Sequence, residues 1–187
     1  MQRMIITVNS DERVEAVFGR PLRIGFVQDL VETAAALRGV QIRICTPATA
    51  EQAFVEALSL GPVILVAGDV PHLPFWRLAD AFDHLEASAD FVVGPAESGG
   101  CYLIGMRNGL SASLDAANVL DEAPANLLTA ARSYGWNSAT LPGWYRVLNY
   151  ADLARLAADL GPFPATFARH TRALLDGSDL VAQALGA

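Results

Sequence analysis

Lysine is absent from this chain, and all 13 of its basic residues are arginines. The 187 residues carry a formal net charge of −7, and the basic residues form no run. An acidic chain without a basic patch lacks the electrostatic footprint that binds DNA or RNA, so we expect no nucleic-acid partner. An anionic small molecule stays open as a ligand, because a few arginines and a metal ion can reverse the local field.

Cysteine is scarce as well, since Cys45 and Cys101 stand alone and far apart. Neither a zinc-ligand spacing nor a disulfide framework is present, which favours a reducing compartment, and we expect a cytoplasmic protein. No apolar run approaches the roughly 20 residues that a membrane-spanning helix needs. The apolar start of the chain stops at Val8, too short for a signal peptide. We therefore expect no membrane partner.

Apolar residues make up 52% of the chain, enough for a full core, and we expect residues 1–187 to form a single domain. The segment 62–67 is apolar without alternation, which is typical of a central parallel strand covered on both faces. Strand-like and helix-like segments alternate, which predicts an α/β fold with a doubly wound parallel sheet. The predicted strands are 4–8, 40–45, 62–67, 90–93, 101–106 and 138–141, and the predicted helices are 26–37, 49–60, 75–85, 125–134 and two that start at 150 and 164.

An acidic residue, Asp69, follows the central strand directly, with Gly68 beside it and Pro71 fixing the loop. In open α/β sheets, ligands bind beyond the carboxyl ends of the strands. A carboxylate there can hold a divalent cation that bridges phosphate oxygens, and we then expect its side chain to face an open cleft. The alternative is that Asp69 only caps the helix that begins near Pro74.

The segment 94–106 contains a second candidate, the glycine pair Gly99 and Gly100 before a strand. Glycines let a ligand approach the backbone closely. Glu97 and Ser98 precede the pair, where they can meet a sugar or an activated phosphate. The alternative is a tight turn with a solvated glutamate.

Together these segments resemble the nucleotide-diphospho-sugar transferase superfamily of the glycosyltransferase-A type. Within it the chain is most similar to a small bacterial family of transferases, related to the molybdenum-cofactor nucleotidyltransferases and the phospholactate guanylyltransferases. The family motifs Gly-Ser-Asp-x-Pro-x-Leu, Gly-Pro-Ala-x-Asp-Gly-Gly-Tyr-Tyr-Leu-Ile-Gly and Asp-x-Asp-Thr-x-x-Asp-Leu correspond to residues 67–73, 94–105 and 147–153. The resemblance covers residues 62–156. It implies a single three-layer α/β domain with a mostly parallel, mixed sheet, one antiparallel strand, and nucleotide bound over the first half.

The resemblance also implies a metal-dependent nucleotidyl- or glycosyl-transferase acting on a small metabolite. Its partners would be a nucleotide or nucleotide-sugar and a small-molecule acceptor, with Mg²⁺ or Mn²⁺ as the cofactor, and a homodimer is left open. Asp69 would be catalytic and would hold the metal together with Asn149, which we place at a carboxylate position of the third motif. The remaining expected contacts are Arg13, Arg20 and Gly68 for the nucleotide, and Glu97, Ser98, Gly99 and Gly100 for the acceptor.

Several departures from the family pattern support an alternative function. The first loop, residues 9–21, has one glycine and three acids where the superfamily has a glycine-rich, basic loop, and acids oppose a triphosphate. Ser98 replaces an aspartate, and Asn149 brings no charge. These changes favour a degenerate member that binds a nucleotide, ligand or protein partner without turnover. A flavodoxin-like binding module is a third hypothesis, which no dedicated motif supports.

Two aromatic residues and one histidine complete the candidates. Trp144 and Tyr145 either stack on a nucleotide base or pack at a strand edge. His72 lies in a loop between two prolines, and we expect it to be exposed.

Overall fold

Six strands form one sheet in the computed structural model, which describes residues 3–8, 12–107 and 118–177. The strand order is β2-β1-β3-β5-β4-β6. The strands are β1 (Arg3–Val8), β2 (Val40–Cys45), β3 (Val63–Ala67), β4 (Phe91–Pro95), β5 (Cys101–Met106) and β6 (Ser138–Thr140). The helices are α1 (Glu12–Phe18), α2 (Arg20–Ala35), α3 (Pro47–Leu58), α4 (Phe75–Ala87), α5 (Pro124–Ser133), α6 (Tyr150–Leu160) and α7 (Arg169–Asp176), with a 3₁₀ turn at Val119–Asp121.

One strand, β5, runs antiparallel to the other five of this sheet. It pairs antiparallel with β3 on one side and with β4 on the other, whereas β1–β2, β1–β3 and β4–β6 are parallel pairs. The turn between β4 and β5 is short, and a short connection can join only antiparallel neighbours. The expected mixed sheet with one antiparallel strand is confirmed.

Helices cover both faces of the sheet. All five residues of β3 are buried, as its uninterrupted apolar sequence predicts. Residues of α3 and α5 form one core with the sheet, and residues of α2 and α4 form another on its second face. The three-layer arrangement is therefore confirmed. A third apolar cluster joins α1, α2, α6 and α7. No helix in the described ranges is long and apolar enough to cross a membrane.

Helix starts are where the sequence predictions are wrong. Helix α2 begins at Arg20 rather than 26, because Pro21 suits the first turn of a helix. Helix α3 begins at Pro47 rather than at 49, with Thr46 as its N-cap, and Thr49 Oγ1 accepts a hydrogen bond from the backbone N–H of Thr46 over 3.2 Å. Residues 12–18 of the first loop, residues 9–21, are helical.

Helix α7 begins at Arg169 rather than at 164, and the reason is a contact distant in sequence. The carboxylate of Asp29, on α2, accepts hydrogen bonds from the backbone N–H groups of His170 and Thr171 over 3.0 and 2.8 Å. These bonds satisfy free donors of the first helical turn. A cap supplied by another helix leaves no mark in the local sequence.

Candidate functional site

Asp69 lies at the carboxyl end of β3, as the sequence predicts. The strand ends at Ala67, and Gly68 and Asp69 are both buried in the turn that follows. The backbone carbonyl of Asp69 accepts a hydrogen bond from the N–H of Val147 over 2.9 Å. The chain after β6 is thereby held across the same edge of the sheet.

The side chain of Asp69 does not face an open cleft, and that expectation is wrong. The residue is 0% exposed. Arg146 Nε donates to Asp69 Oδ1 and Oδ2 over 2.9 and 3.0 Å, and Arg146 Nη2 donates to Oδ2 over 2.8 Å. The alternative of a helix cap is also wrong, because α4 has Pro74 at its N-cap with no side-chain cap. Asp69 is instead one half of a buried ion pair.

Each nitrogen of the Arg146 guanidinium donates a hydrogen bond to the protein. Its Nη1 donates to Asp121 Oδ1 over 2.9 Å and to the carbonyl of Leu120 over 3.4 Å, and the residue is 3% exposed. Burial lowers the pKa of Arg146, but the carboxylates of Asp69 and Asp121 outweigh burial and raise the pKa above its ordinary value. Burial raises the pKa of Asp69, and the charge of Arg146 acts against that rise. We call Arg146, Asp69 and Asp121 together the arginine knot.

The residues around Asp69 do not fit a Mg²⁺ or Mn²⁺ ion. Such ions take carboxylate oxygens as ligands, and both oxygens of Asp69 already accept hydrogen bonds from a guanidinium. A second cation beside Arg146 would meet its positive charge in a buried environment, where repulsion is weakly screened. The positive charge that a metal would bring to this carboxylate is supplied by the chain itself.

Asn149 has a different role from the metal ligand expected of it. It is the N-cap of α6, where its Oδ1 accepts from the N–H of Asp152 over 3.0 Å. In return, Asp152 Oδ2 accepts from the N–H of Leu148 over 3.0 Å. When Asp152 and Leu153 are matched to the final Asp-Leu of the third motif, Asn149 falls on its threonine and Arg146 on its first aspartate.

The glycine pair lies on the loop that leads into antiparallel β5, as expected, and Gly100 packs beside the arginine knot. Gly99 and Gly100 have positive φ angles of 95° and 68°. A Cβ atom on Gly100 would lie 2.5 Å from the carbonyl oxygen of Leu120, whereas one on Gly99 would have nothing within 4 Å. Gly100 thus packs on the 3₁₀ turn that carries Asp121 to Arg146.

Glu97 and Ser98 are both exposed. The carboxylate of Glu97 forms an ion pair with Arg155 of α6, with Arg155 Nη1 and Glu97 Oε2 2.6 Å apart. The Arg155 guanidinium also lies 3.8 Å above the ring of Tyr145. Hydrogen bonds from Arg155 lower the pKa of Glu97, so it is ionised at neutral pH. Among the predicted acceptor residues, Glu97 therefore contacts α6, whereas the buried Gly100 packs on the 3₁₀ turn.

The predicted nucleotide-binding arginines do not reach the arginine knot. Arg20 is exposed at the start of α2, where it lines a groove of about 670 Å³ between α2 and α7. Arg13 lies on α1, and its side chain falls outside the described part of the chain. Residues 9–11 of the first loop also lie outside the described ranges.

A second cleft contains residues that sequence analysis did not assign to a site. It has a volume of about 450 Å³ and lies between the start of α4, the segment 143–145 and α6. We call it the α4–α6 cleft. Its lining includes His72, Trp76, Glu97, Trp144, Tyr145, Arg155, Asp159 and Phe163. His72 is only 4% exposed, so the expectation of an exposed histidine is wrong. Trp144 and Tyr145 pack against it, with ring centroids 5.2 and 4.2 Å away.

One group of potential metal ligands occurs in the described ranges. Ligand atoms of Asp29, Glu32 and His170 lie within 4.8 Å of one another. The Asp29 carboxylate caps α7, and Glu32 forms ion pairs with Arg169 and His170. Hydrogen bonds from Arg169, then from His170, lower the pKa of Glu32 to about 2. These groups bind each other and the backbone, which is a sufficient reason for their proximity.

Comparisons with known proteins support the fold. Residues 33–124 match the model of the family described as "Uncharacterized protein conserved in bacteria (DUF2064)", a span that contains the first two motifs but not the third. No curated protein matches the chain significantly.

Among solved structures, a putative nucleotide-diphospho-sugar transferase from Desulfovibrio desulfuricans is similar with a TM-score of 0.78 and 21% identity, over 98% of this chain and 99% of that one. A 4-diphosphocytidyl-2C-methyl-D-erythritol synthase from Anaerococcus prevotii has a TM-score of 0.52 at 11% identity, over 85% and 98% of the two chains. A cytidylyltransferase from Leptospira borgpetersenii has 0.51 at 12%, over 96% and 95%. The chain has the nucleotide-diphospho-sugar transferase fold, and the resemblance seen in its motifs is confirmed at that level.

Proposed function

We propose that this protein binds a nucleotide or nucleotide-sugar on the transferase fold without a divalent cation at Asp69 and without metal-dependent transfer. The observation that carries the proposal is the arginine knot. Asp69, the carboxylate at the end of the central strand, is fully buried and bonded through both oxygens to Arg146. This function corresponds to the degenerate member that the motif departures favoured.

The chemistry of phosphate transfer explains why this one contact matters. A divalent cation on the phosphates neutralises the charge that develops on the leaving group. That role needs an accessible carboxylate, whereas Asp69 is 0% exposed and both of its oxygens already accept hydrogen bonds from Arg146. Arg146 does not replace the metal in contacting a substrate, because Nε, Nη1 and Nη2 all donate to protein acceptors. The arginine knot therefore stabilises the fold at the position where the resemblance implies catalysis.

The surface beside the arginine knot remains suited to a ligand. Gly99 presents an uncrowded backbone next to the exposed Ser98. Away from the arginine knot, in the groove between α2 and α7, Arg20 offers an exposed positive charge. The chain has no lysine, so arginine is its only long cationic side chain for phosphates. Contacts of the nucleotide with Arg13, Arg20 and Gly68, and of an acceptor with Glu97, Ser98, Gly99 and Gly100, stay predictions.

A metal-dependent nucleotidyl- or glycosyl-transferase is the second candidate. It is favoured by the position of Asp69 at the end of β3 and by the glycine turn against Asp121. It requires Arg146 to leave Asp69 so that Mg²⁺ or Mn²⁺ can enter. Breaking a buried ion pair costs about 3–5 kcal/mol, which the metal would have to offset. For this reason it is our second candidate.

Calorimetric titration with nucleotides separates the two functions. Nucleoside triphosphates and nucleotide-sugars are titrated into the protein, once in EDTA and once in Mn²⁺. We expect saturable binding whose Kd is the same under both conditions. Binding that requires Mn²⁺ and disappears in Asp69→Asn would establish the metal-dependent site instead. An absence of binding under both conditions would reject a nucleotide as the ligand.

A further inference from the structure

Strand β2 forms one free edge of the sheet, which we call the β2 edge. It is the terminal strand in the strand order and pairs with β1 alone among the described strands. Its six residues run in continuous register with β1, over a length of about 20 Å. An edge strand presents a row of backbone N–H and C=O groups that can pair with another strand. The β2 edge therefore has hydrogen-bonding groups for one further strand.

The β2 edge lacks the features that protect exposed edges from pairing. Proteins protect edges with short strands, lysine, proline or bulges. The opposite edge strand, β6, has only three residues, whereas β2 has six and no proline. The chain has no lysine, and the one charged residue of β2, Arg43, forms an ion pair with Glu56 of α3 over 2.9 Å. Gln41, Arg43 and Ile44 are exposed, so the β2 edge is open to a partner.

Exposed apolar side chains flank the β2 edge on both faces of the sheet. Val40 and Ile42 pack against the core beside α2 and α4, and alternation along the strand places Ile44 on the same face. Ile44 is 54% exposed. On the α3 face, Leu60 lines a groove together with Gln41 of the strand, and it is 52% exposed. A strand that pairs with this edge therefore gains apolar burial as well as hydrogen bonds.

The sequence of β2 is complementary to itself. A two-fold axis normal to the sheet makes two copies of β2 antiparallel and keeps each face of one copy beside the same face of the other. With Ile42 on the axis, Ile42 lies opposite its own copy, and Val40 lies opposite Ile44 of the second copy. These cross-strand pairs are all β-branched, which suits a strand pair. On the other face, Gln41 lies opposite Arg43, so an amide meets each guanidinium.

Charge and strand length favour this register over its neighbours. Moving the axis to Arg43 would place two guanidinium groups directly opposite each other, and like charges in that position destabilise a strand pair. Moving the axis to Gln41 would carry residues 43–45 past the end of the second strand. The register about Ile42 pairs five residues of each strand and keeps the two Arg43 side chains apart. A second copy of this chain is therefore the occupant that the β2 edge fits.

From these features we propose that the protein forms a two-fold symmetric dimer in which the β2 edges of two copies pair antiparallel about Ile42. The two six-stranded sheets then become one continuous sheet. The exposed side chains of Ile44 and Leu60 lie at the junction. The interface is closed, because it uses the same edge of both copies and leaves only the short β6 edges outside.

Sedimentation velocity over a concentration series, without nucleotide or metal, measures the association. We expect the wild type to sediment as a dimer that dissociates on dilution. Ile44→Lys should raise the dimer Kd about tenfold or more, because lysine on an edge strand opposes pairing. Tyr134→Lys is the matched control and should leave the Kd unchanged. Tyr134 is 60% exposed and lies at the end of α5, which packs beside β6 at the opposite edge.

Disulfide crosslinking tests the register. Opposed Cα atoms of an antiparallel pair are about 4.5–5.5 Å apart, within reach of a disulfide. Ile42→Cys should therefore form a covalent dimer when oxidised with diamide. Ile44→Cys is the control, because its two copies lie four residues apart along the strand, about 14 Å, and should not crosslink. The native Cys45 and Cys101 are buried, and the wild type should not crosslink either.

Three results would overturn the proposal: a wild type that sediments as a monomer at every concentration, a dimer that Ile44→Lys weakens no more than Tyr134→Lys does, or crosslinking of Ile44→Cys in preference to Ile42→Cys. Ile44 is half exposed, so Ile44→Lys keeps the test valid even if Ile42→Cys fails to fold. The experiments contain neither nucleotide nor metal. Their failure therefore leaves the proposed function standing, and a failure of nucleotide binding leaves the dimer standing.

Discussion

At the scale of single residues, the Asp69 carboxylate is paired with the guanidinium of one residue distant in sequence, Arg146. Arg146 approaches Asp69 because the backbone N–H of Val147 bonds to the Asp69 carbonyl. Removing the guanidinium would leave a carboxylate that is 0% exposed without its counter-charge. Uncompensated buried charge is among the most destabilising changes a single substitution can make.

We expect Arg146→Met to lower the free energy of unfolding by about 3–5 kcal/mol, because it strands the Asp69 carboxylate. Removing both charges in Asp69→Leu with Arg146→Met should restore most of the loss. Arg43→Met is the control, since the side chains of the Arg43–Glu56 pair are about half exposed, and exposed pairs contribute little to stability. Urea denaturation measures all three. A loss in Arg146→Met no greater than in Arg43→Met would contradict the buried pair.

The burial of His72 predicts how the free energy of unfolding depends on pH. Its pKa falls from 6.5 to about 3 through burial, so the folded protein binds fewer protons than the unfolded chain below pH 6.5. Its contribution to stability is therefore complete above pH 6.5 and is lost progressively as the pH falls towards 3. We expect the unfolding free energy of the wild type, relative to His72→Phe, to fall by up to about 1.4 kcal/mol per pH unit from pH 6 to pH 4. A difference that does not change with pH would show that His72 is not buried in its neutral form.

At the scale of elements, variants at the start of α6 distinguish an asparagine that caps the helix from one that binds a metal ion. Asn149 accepts from the Asp152 N–H at the N-cap. We expect Asn149→Ala to cost about 1 kcal/mol in unfolding free energy, and Asn149→Asp or Asn149→Thr to keep the cap. None of the three should change Mn²⁺ affinity in calorimetry. A tightening of Mn²⁺ in Asn149→Asp would return Asn149 to a metal site.

The turn before β5 provides a matched pair of glycines. Both have positive φ, so an alanine at either position meets backbone strain of about 1–3 kcal/mol. Only at Gly100 would the new Cβ also approach the Leu120 carbonyl oxygen, to 2.5 Å. We therefore expect Gly100→Ala to lower the melting temperature more than Gly99→Ala does. Equal losses would show that the 3₁₀ turn does not pack on Gly100.

Elements were predictable from sequence to different degrees, for physical reasons. The uninterrupted apolar run predicts the buried strand β3, and the resemblance implies one antiparallel strand; both predictions are confirmed. The short turn between β4 and β5 is the physical reason for the antiparallel direction. The start of α7 depends on Asp29 of α2, a contact that no local pattern records. Motif matching located Asp69 and Gly100 at one sheet edge, but it did not reveal that Arg146 lies between Asp69 and Asp121.

At the scale of the whole molecule, a shared fold does not imply a shared chemistry. One sheet runs through the described chain, and its similarity to the Desulfovibrio structure covers 98% of the residues. That a single domain spans residues 1–187 stays a prediction. The shared fold does not by itself carry an activity, since function depends on the groups placed in the site. Here Asp69 is bonded to the guanidinium of Arg146, at the position where the resemblance implies a metal ion.

Thermal unfolding in Mn²⁺ and in EDTA tests the central claim, that Arg146 takes the place of a metal at Asp69. We expect the wild-type melting temperature to be the same in both. Arg146→Asp, which adds a carboxylate between Asp69 and Asp121, should be stabilised by Mn²⁺, by about 5 °C or more at a hundredfold excess over Kd. Arg146→Asn, the uncharged control, should gain much less. Stabilisation of the wild type by Mn²⁺ that is lost in Asp69→Asn would contradict the claim.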